Sequence, residues 1–182
     1  MATAKQAVEI VDAVLRIPDG TSRWHADRLR ADGLLPSTPG RPDQLAAKHV
    51  ALLLLAVLTG LPALSSAPMI AEYAALRPMT GGGTLAETLA KFIESPGDFF
   101  ELRVDQHAPG ATITYRGSDH GMRVETFASP IHYPRPAFDR IAVLGADGMI
   151  RLSAALADAP PVRLGPHRGF ERYRRMEYAI KF

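Results

Sequence analysis

The hydrophobic pattern of this chain changes from a helical to an alternating period at the segment SPGD, residues 95–98. Before that segment, apolar residues such as Val8, Val11 and Leu15 recur at the spacing of one face of an α-helix. After it, the stretches FFELRV, TITYR, RVETF and RIAVL alternate as β-strands do. The pattern therefore predicts an α+β fold, with a helical N-terminal part followed by a small β-rich part.

Residues that typically cap or end helices divide the helical part into five predicted helices. The first helix, 5–16, ends at Pro18-Asp19-Gly20, and the second begins with Thr21 or Ser22 as its cap and ends at Gly33. The next two helices are expected at 44–59 and at 68–76, the latter capped by Ser66. In TLAE, residues 84–87, Thr84 and Glu87 have the spacing of a capping box, which starts a fifth helix.

The same pattern suggests a domain division. We expect a helical domain at 1–95, an α+β domain at 96–159 and a tail at 160–182. The stretch GADGMIRLSAALAD is interpreted as a helix beginning near Asp147, although its Asp-Gly pair is also compatible with a hairpin.

Composition excludes some classes of protein. The 182 residues include no cysteine, so disulfide scaffolds and thiolate chemistry are excluded. The N-terminus has acidic residues among its apolar ones, unlike a signal peptide, and VALLLLAVL at 50–58 is too short to cross a bilayer. We therefore expect a cytoplasmic protein. The formal net charge of +2 is small, but residues 161–182 carry six basic and only two acidic side chains.

The segment TSRWHADRLRADGLLPSTPGRP, residues 21–42, carries the clearest functional signal. A short helix with Ala26 and Leu29 inside and arginines outside is what a helix-turn-helix places in a major groove. The alternative is a solvated charged face with Trp24 in the core. The candidate DNA-binding residues are Thr21, Ser22, Arg23, Trp24, His25, Asp27, Arg28, Arg30, Thr38 and Arg41.

The run RLRADGLLP resembles the end of the recognition helix in MerR-type winged-helix regulators, through Arg28, Leu29, Gly33, Leu34, Leu35 and Pro36. More loosely, the run up to LLLLAVL is similar to the N-terminal domains of small regulators of prophages and gene transfer agents. This resemblance implies a winged helix that binds double-stranded DNA. PGRP, residues 39–42, also resembles the core of an AT-hook, which implies a minor-groove contact for Arg41, whereas a plain connector is the alternative.

The tail mixes arginines with aromatic residues. It could clamp nucleic-acid backbone or dock on a partner such as RNA polymerase, or it could be a last helix packed on the sheet. The residues expected to make these partner or backbone contacts are Arg168, Arg172, Arg174 and Arg175.

Enzyme motifs are absent, so we expect neither catalysis nor a cofactor. A metal site would need strand pairing to gather Asp105, His107, Asp119, His120 and His132, whose presence turn composition also explains. The sequence favours a homodimeric transcription regulator of bacterial or phage origin, associated with the nucleoid. Residues 1–95 are then its DNA-binding domain, with a helix-turn-helix core at about 5–60, and the α+β domain at 96–159 serves for dimerisation or partner binding. The alternatives are a phage DNA-packaging or assembly subunit and a metal-dependent hydrolase.

Overall fold

Six α-helices, one short 3-10 helix (Pro96–Asp98) and one four-stranded sheet form the part of the chain that this computed structural model describes, which is residues 2–38, 43–131 and 140–160. The helices come first, apart from one that follows the sheet, so the expected α+β class is confirmed. The helices are α1 (Ala4–Leu15), α2 (Thr21–Ala31), α3 (Ala47–Leu58), α4 (Ala63–Ala75), α5 (Leu85–Glu94) and α6 (Ala146–Ala157). The strands are β1 (Phe99–Asp105), β2 (Gly110–Arg116), β3 (Met122–Ala128) and β4 (Ile141–Gly145).

Helix α3 is the centre of the helical layer. It is apolar on nearly every side, and such a helix has to be surrounded by protein. Leu53, Leu54 and Leu55 are fully buried, and α1, α2, α4 and α5 all contact the helix. The run VALLLLAVL, residues 50–58, is therefore the buried core of the helical layer. No helix in the described ranges is long and apolar enough to cross a membrane.

Two details of the predicted elements need comment. Helix α4 begins at Ala63, so the prediction that it starts at Pro68 with Ser66 as cap was wrong. Ser66 lies inside the helix and its hydroxyl donates to the carbonyl of Ala63, 3.1 Å away. Pro68 lies inside the helix, in its second turn, where its missing N–H leaves the Leu64 carbonyl without its usual donor. The stretch after β4 is helix α6, with Asp147 in its first turn, and is not a hairpin.

The sheet is antiparallel, with strand order β3-β2-β1-β4. Its inner face is apolar, and α5 and α6 lie against this side: Phe92 of α5 contacts Phe99 and Tyr115. The outer face carries Arg103 on β1 and the threonines of β2. The largest exposed apolar side chains of the outer face lie on the two edge strands and are Met122, Val124, Ile141 and Val143.

Several contacts join the helical layer to the sheet. The Tyr73 hydroxyl on α4 lies within hydrogen-bond distance of the carbonyls of Asp105 and Ala108, and Gln106 donates to the carbonyl of Leu58. Buried residues on both sides of residue 95 belong to one apolar cluster. The expected domain boundary thus coincides with the change from helix to strand, while the core is continuous across it.

Candidate nucleic-acid interface on the second helix

Helix α2 follows α1 across a tight turn, residues 16–20. Arg16 and Gly20 both have positive φ, 53° and 86°, and only glycine adopts this conformation without strain. The N–H of Thr21 donates to the carbonyl of Pro18, 3.1 Å away, and closes the turn. The result is two short helices joined by a tight turn, with α3 packed against both.

The start of α2 is capped by a carboxylate from α1. Asp12 is buried, and its Oδ2 and Oδ1 accept hydrogen bonds from the N–H groups of Gly20 and Ser22 at 2.7 and 2.9 Å. The prediction that Thr21 or Ser22 caps this helix was wrong, because neither side chain accepts a bond from its first turn. Because these two N–H groups donate to Asp12, they are not available to a phosphate at the helix start.

The two sides of α2 differ sharply. Ala26 and Leu29 face the core, as their spacing predicts. On the opposite side Arg23, Trp24 and Asp27 are exposed, and Trp24 has 73% of its surface open to solvent. A tryptophan normally buries most of its surface, so this position is unusual for a side chain that serves only packing. The alternative in which Trp24 belongs to the core is therefore wrong.

Each arginine of α2 is paired with an aspartate nearby. Asp27 lies 3.8 Å from Arg23 and 2.7 Å from Arg30, and Arg28 Nε lies 2.9 Å from the carboxylate of Asp32. The three positive charges are thus partly offset by two negative ones. Of these pairs, Arg23 with Asp27 is well exposed. Exposed pairs are worth only about 0–1 kcal/mol, so a phosphate or a base edge can compete with Asp27 for Arg23.

Ser22 and His25 lie on the buried side of α2, away from the exposed face that the sequence assigns them to. Ser22 is 0% exposed and His25 is 7% exposed. Burial lowers the pKa of the His25 imidazole, because the charged form loses its hydration. These two side chains are therefore not part of the surface formed by Arg23, Trp24 and Asp27.

A cleft of about 840 Å³ borders α2 on the side of α1. Its lining includes the cations Lys5, Arg23 and Arg30, but acidic side chains are at least as numerous. This mixture does not favour a small anionic ligand. The acidic residues of the lining are Glu9, Asp12, Asp19 and Asp27.

The remaining predicted contacts are of two kinds. The Thr21 hydroxyl donates to the carbonyl of Pro18 at 2.7 Å, so it closes the turn. Thr38 is exposed in the loop after α2, and its N–H donates to Asp43 Oδ2 at 2.6 Å. The other predicted residues lie outside the described residues: Arg41, Arg168, Arg172, Arg174 and Arg175.

Strand pairing separates the acidic and histidine residues considered as a metal site. Asp105 and His107 lie where β1 turns into β2, whereas Asp119 and His120 lie where β2 turns into β3. These turns are at opposite ends of β2, about 20 Å apart for a strand of this length. Among the residues described, no group of three or more His, Cys, Asp or Glu side chains is arranged to hold a metal ion. His132 lies outside the described residues.

Comparison with known proteins adds no relative: no family model, no curated protein and no solved structure matches the chain. The resemblance to MerR-type regulators therefore stays a prediction from the sequence.

Sequence reasoning missed the role of Asp12. A signal was present, because Asp12 lies on the apolar stripe of α1, next to Val11 and one turn after Val8. A carboxylate on a buried stripe needs hydrogen-bond donors, and free N–H groups at the start of a following helix supply them.

Proposed function

We propose that the chain is a sequence-specific DNA-binding transcription regulator of bacterial or phage origin, with α2 as its recognition helix. One observation carries the proposal: α2 is fixed on its inner side by Ala26 and Leu29 and presents Arg23, Trp24 and Asp27 outward. A short helix of this kind, held on a preceding helix by a tight turn, suits the width of a major groove. Such a regulator works in the cytoplasm, at the nucleoid.

Each exposed side chain has a defined part in this mode of binding. Arg23 and Arg28 contact phosphates or guanine edges, and the Trp24 ring packs on sugar or on a thymine methyl group. Asp27 orients Arg23 and Arg30, and its carboxylate can also accept a hydrogen bond from cytosine. Because one short helix reads only a few base pairs, useful specificity requires two copies of the chain on one site.

The first experiment replaces the arginines. A duplex is selected from a random-sequence pool with the parent protein, and affinities are measured by fluorescence anisotropy at matched salt. We expect Arg23→Ala and Arg28→Ala each to weaken binding by about 1–3 kcal/mol. Arg151→Ala is the matched control, because Arg151 forms the same kind of exposed pair with Asp147 four residues away, on α6. If both α2 variants bind like the parent, α2 is not the recognition helix.

Asp27→Asn tests the same surface by a substitution that is expected to strengthen DNA binding. Removing this carboxylate frees Arg23 and Arg30 and removes a charge that repels phosphate. We expect tighter binding to duplexes of unrelated sequence and a steeper decrease of affinity with salt. The matched control is Asp147→Asn, which removes an aspartate from an exposed ion pair on α6.

A second function is favoured by the aspartates themselves. Asp27 and Asp32 leave the exposed side of α2 with mixed charge, which suits a protein surface as well as it suits DNA. The chain would then be a DNA-packaging or assembly subunit. Size-exclusion chromatography with light scattering distinguishes the two, since a closed ring of many copies favours assembly and a dimer favours regulation.

A further inference from the structure

Among the residues that the structure describes, strand β3 forms one edge of the sheet, and much of its edge away from β2 is unpaired. Within the described residues its ladder partner is β2, and on the other side only Phe127 makes a bridge, to Pro78. Met122 and Val124 are 62% and 65% exposed, although apolar side chains on a strand normally pack against a neighbour. An edge of this kind, with unpaired N–H and C=O groups, is a template for another strand.

The charges of β3 select one way in which it can pair with itself. In an antiparallel pair about a two-fold axis, the residue at the axis lies opposite its own copy. An axis at Arg123 or at Glu125 places like charges directly opposite each other. With the axis at Val124, Arg123 lies opposite the second copy's Glu125 and the reverse pair forms by symmetry. Registers shifted by one residue place side chains from opposite faces of the sheet against each other.

Existing contacts are compatible with this register. Arg123 is held by Asp119 at 3.1 Å, and Glu125 Oε1 accepts a hydrogen bond from the Tyr115 hydroxyl at 3.1 Å. The Arg123 side chain is still 53% exposed, so its guanidinium can contact a second carboxylate. The bridge from Pro78 to Phe127 limits the new ladder to residues 122–126, where the edge is open.

We propose that two copies of this chain associate through β3, antiparallel and centred on Val124, to form one continuous sheet of eight strands. Two cross-strand pairs of Arg123 with Glu125 set the register, and Val124 packs on its own copy. The inference deepens the proposed function and rests on it for its biological use, since it supplies the second recognition helix. The pairing itself requires no DNA.

The experiment measures the dimer dissociation constant of the full chain by sedimentation equilibrium. In the Arg123→Glu variant both ion pairs become repulsive contacts, and we expect the dimer dissociation constant to rise by about tenfold or more. Glu125→Arg has the same effect. The double variant Arg123→Glu/Glu125→Arg exchanges the charges and restores the parent value within about threefold, which also shows that the substitutions leave the fold intact.

Val124→Lys and Val143→Lys form the matched pair. Val143 is similarly exposed on the same face but on β4, the opposite edge of the sheet. We expect Val124→Lys to weaken the dimer, because two lysines then lie opposite each other, and Val143→Lys to behave like the parent. A monomeric parent, a double variant no tighter than the single ones, or equal effects of the two lysines would overturn the proposal.

The outcomes separate this inference from the proposed function. If Arg23→Ala loses DNA binding while the β3 variants dimerise like the parent, α2 is the recognition helix and β3 is not the interface. If the β3 variants dissociate while Arg23→Ala and Arg28→Ala bind DNA normally, the interface stands and the DNA-binding function fails.

Discussion

At His25, the imidazole is nearly covered and its Nδ1 has no hydrogen-bond partner among the residues described. The neutral ring is therefore the form that the fold accepts, because charging it in place would bring a cation out of water. The Ser22 hydroxyl, one turn earlier, is buried and also without a described partner. The inner side of α2 thus carries two buried polar side chains, at positions where an apolar residue would avoid the free-energy cost of an unpaired polar group.

His25 makes stability dependent on pH. Burial lowers the pKa of its imidazole in the folded chain, whereas the unfolded chain keeps the ordinary value of about 6.5. As the pH falls below about 6.5, the unfolded chain takes up the proton first, so the free energy of unfolding decreases. We expect His25→Leu to reduce this decrease, measured by urea denaturation at pH 7.5 and pH 5.5.

The control for this prediction is His120→Gln, since His120 is exposed at the β2–β3 turn. Some dependence on pH remains in the His25 variant, because burial and the neighbouring Lys48 also lower the pKa of His49. If the free energy of unfolding of His25→Leu decreases between pH 7.5 and pH 5.5 as much as that of the parent, His25 is not a source of the pH dependence.

At the scale of elements, the α1–α2 unit depends on Asp12. This carboxylate links the end of one helix to the start of the next through two N–H groups. Asp12→Ala leaves the buried N–H of Ser22 and the part-buried N–H of Gly20 without this acceptor, and we expect a loss of about 2 kcal/mol in the free energy of unfolding. Asp12→Asn keeps one acceptor oxygen and should lose less.

Chemical denaturation measures both variants, and Glu9→Ala is the control because Glu9 is an exposed acid on the same helix. Equal stabilities for Asp12→Ala and Glu9→Ala would show that the cap contributes nothing to the α1–α2 unit.

How much of these elements the sequence predicts depends on the range of the interactions that form them. The helical spacing of Val8 and Val11, and the box of Thr84 with Glu87, involve neighbours a turn apart, and both appear as predicted. The start of α4 was misjudged because Pro68 usually marks a first turn. The cap of α2 was misjudged because its acceptor, Asp12, is eight to ten residues away.

The candidate site shows the same limit. Spacing placed Arg23, Trp24 and Asp27 on the outer side of α2 correctly. The pattern did not reveal that Ser22 and His25 face inward, because polar residues are normally assigned to the exposed side. The pattern also could not predict that β3 is an edge strand of the described sheet, because the order of strands depends on contacts between distant segments.

At the scale of the whole molecule, the apolar cluster extends from the helices into the sheet. Helix α6, which follows the last strand, packs on α1 as well as on β1 and β4, so the end of the described chain returns to its beginning. The Gln6 side chain of α1 donates to the carbonyl of Pro160 at 2.8 Å. A division into two independent parts at residue 95 would have to break these contacts.

The continuous core predicts one cooperative unfolding unit. Ile113 on β2 is fully buried, and Ile113→Ala should lower the free energy of unfolding by about 2–5 kcal/mol. If the helices and the sheet unfold together, hydrogen exchange of the slowest amides must accelerate equally in α3 and in β2, by about 30-fold or more. Leu53→Ala on α3 is the reciprocal variant, and Val143→Ala, on the exposed face of β4, is the control that should change little. Acceleration confined to the half that carries the substitution would instead reveal two separately folding parts joined near residue 95.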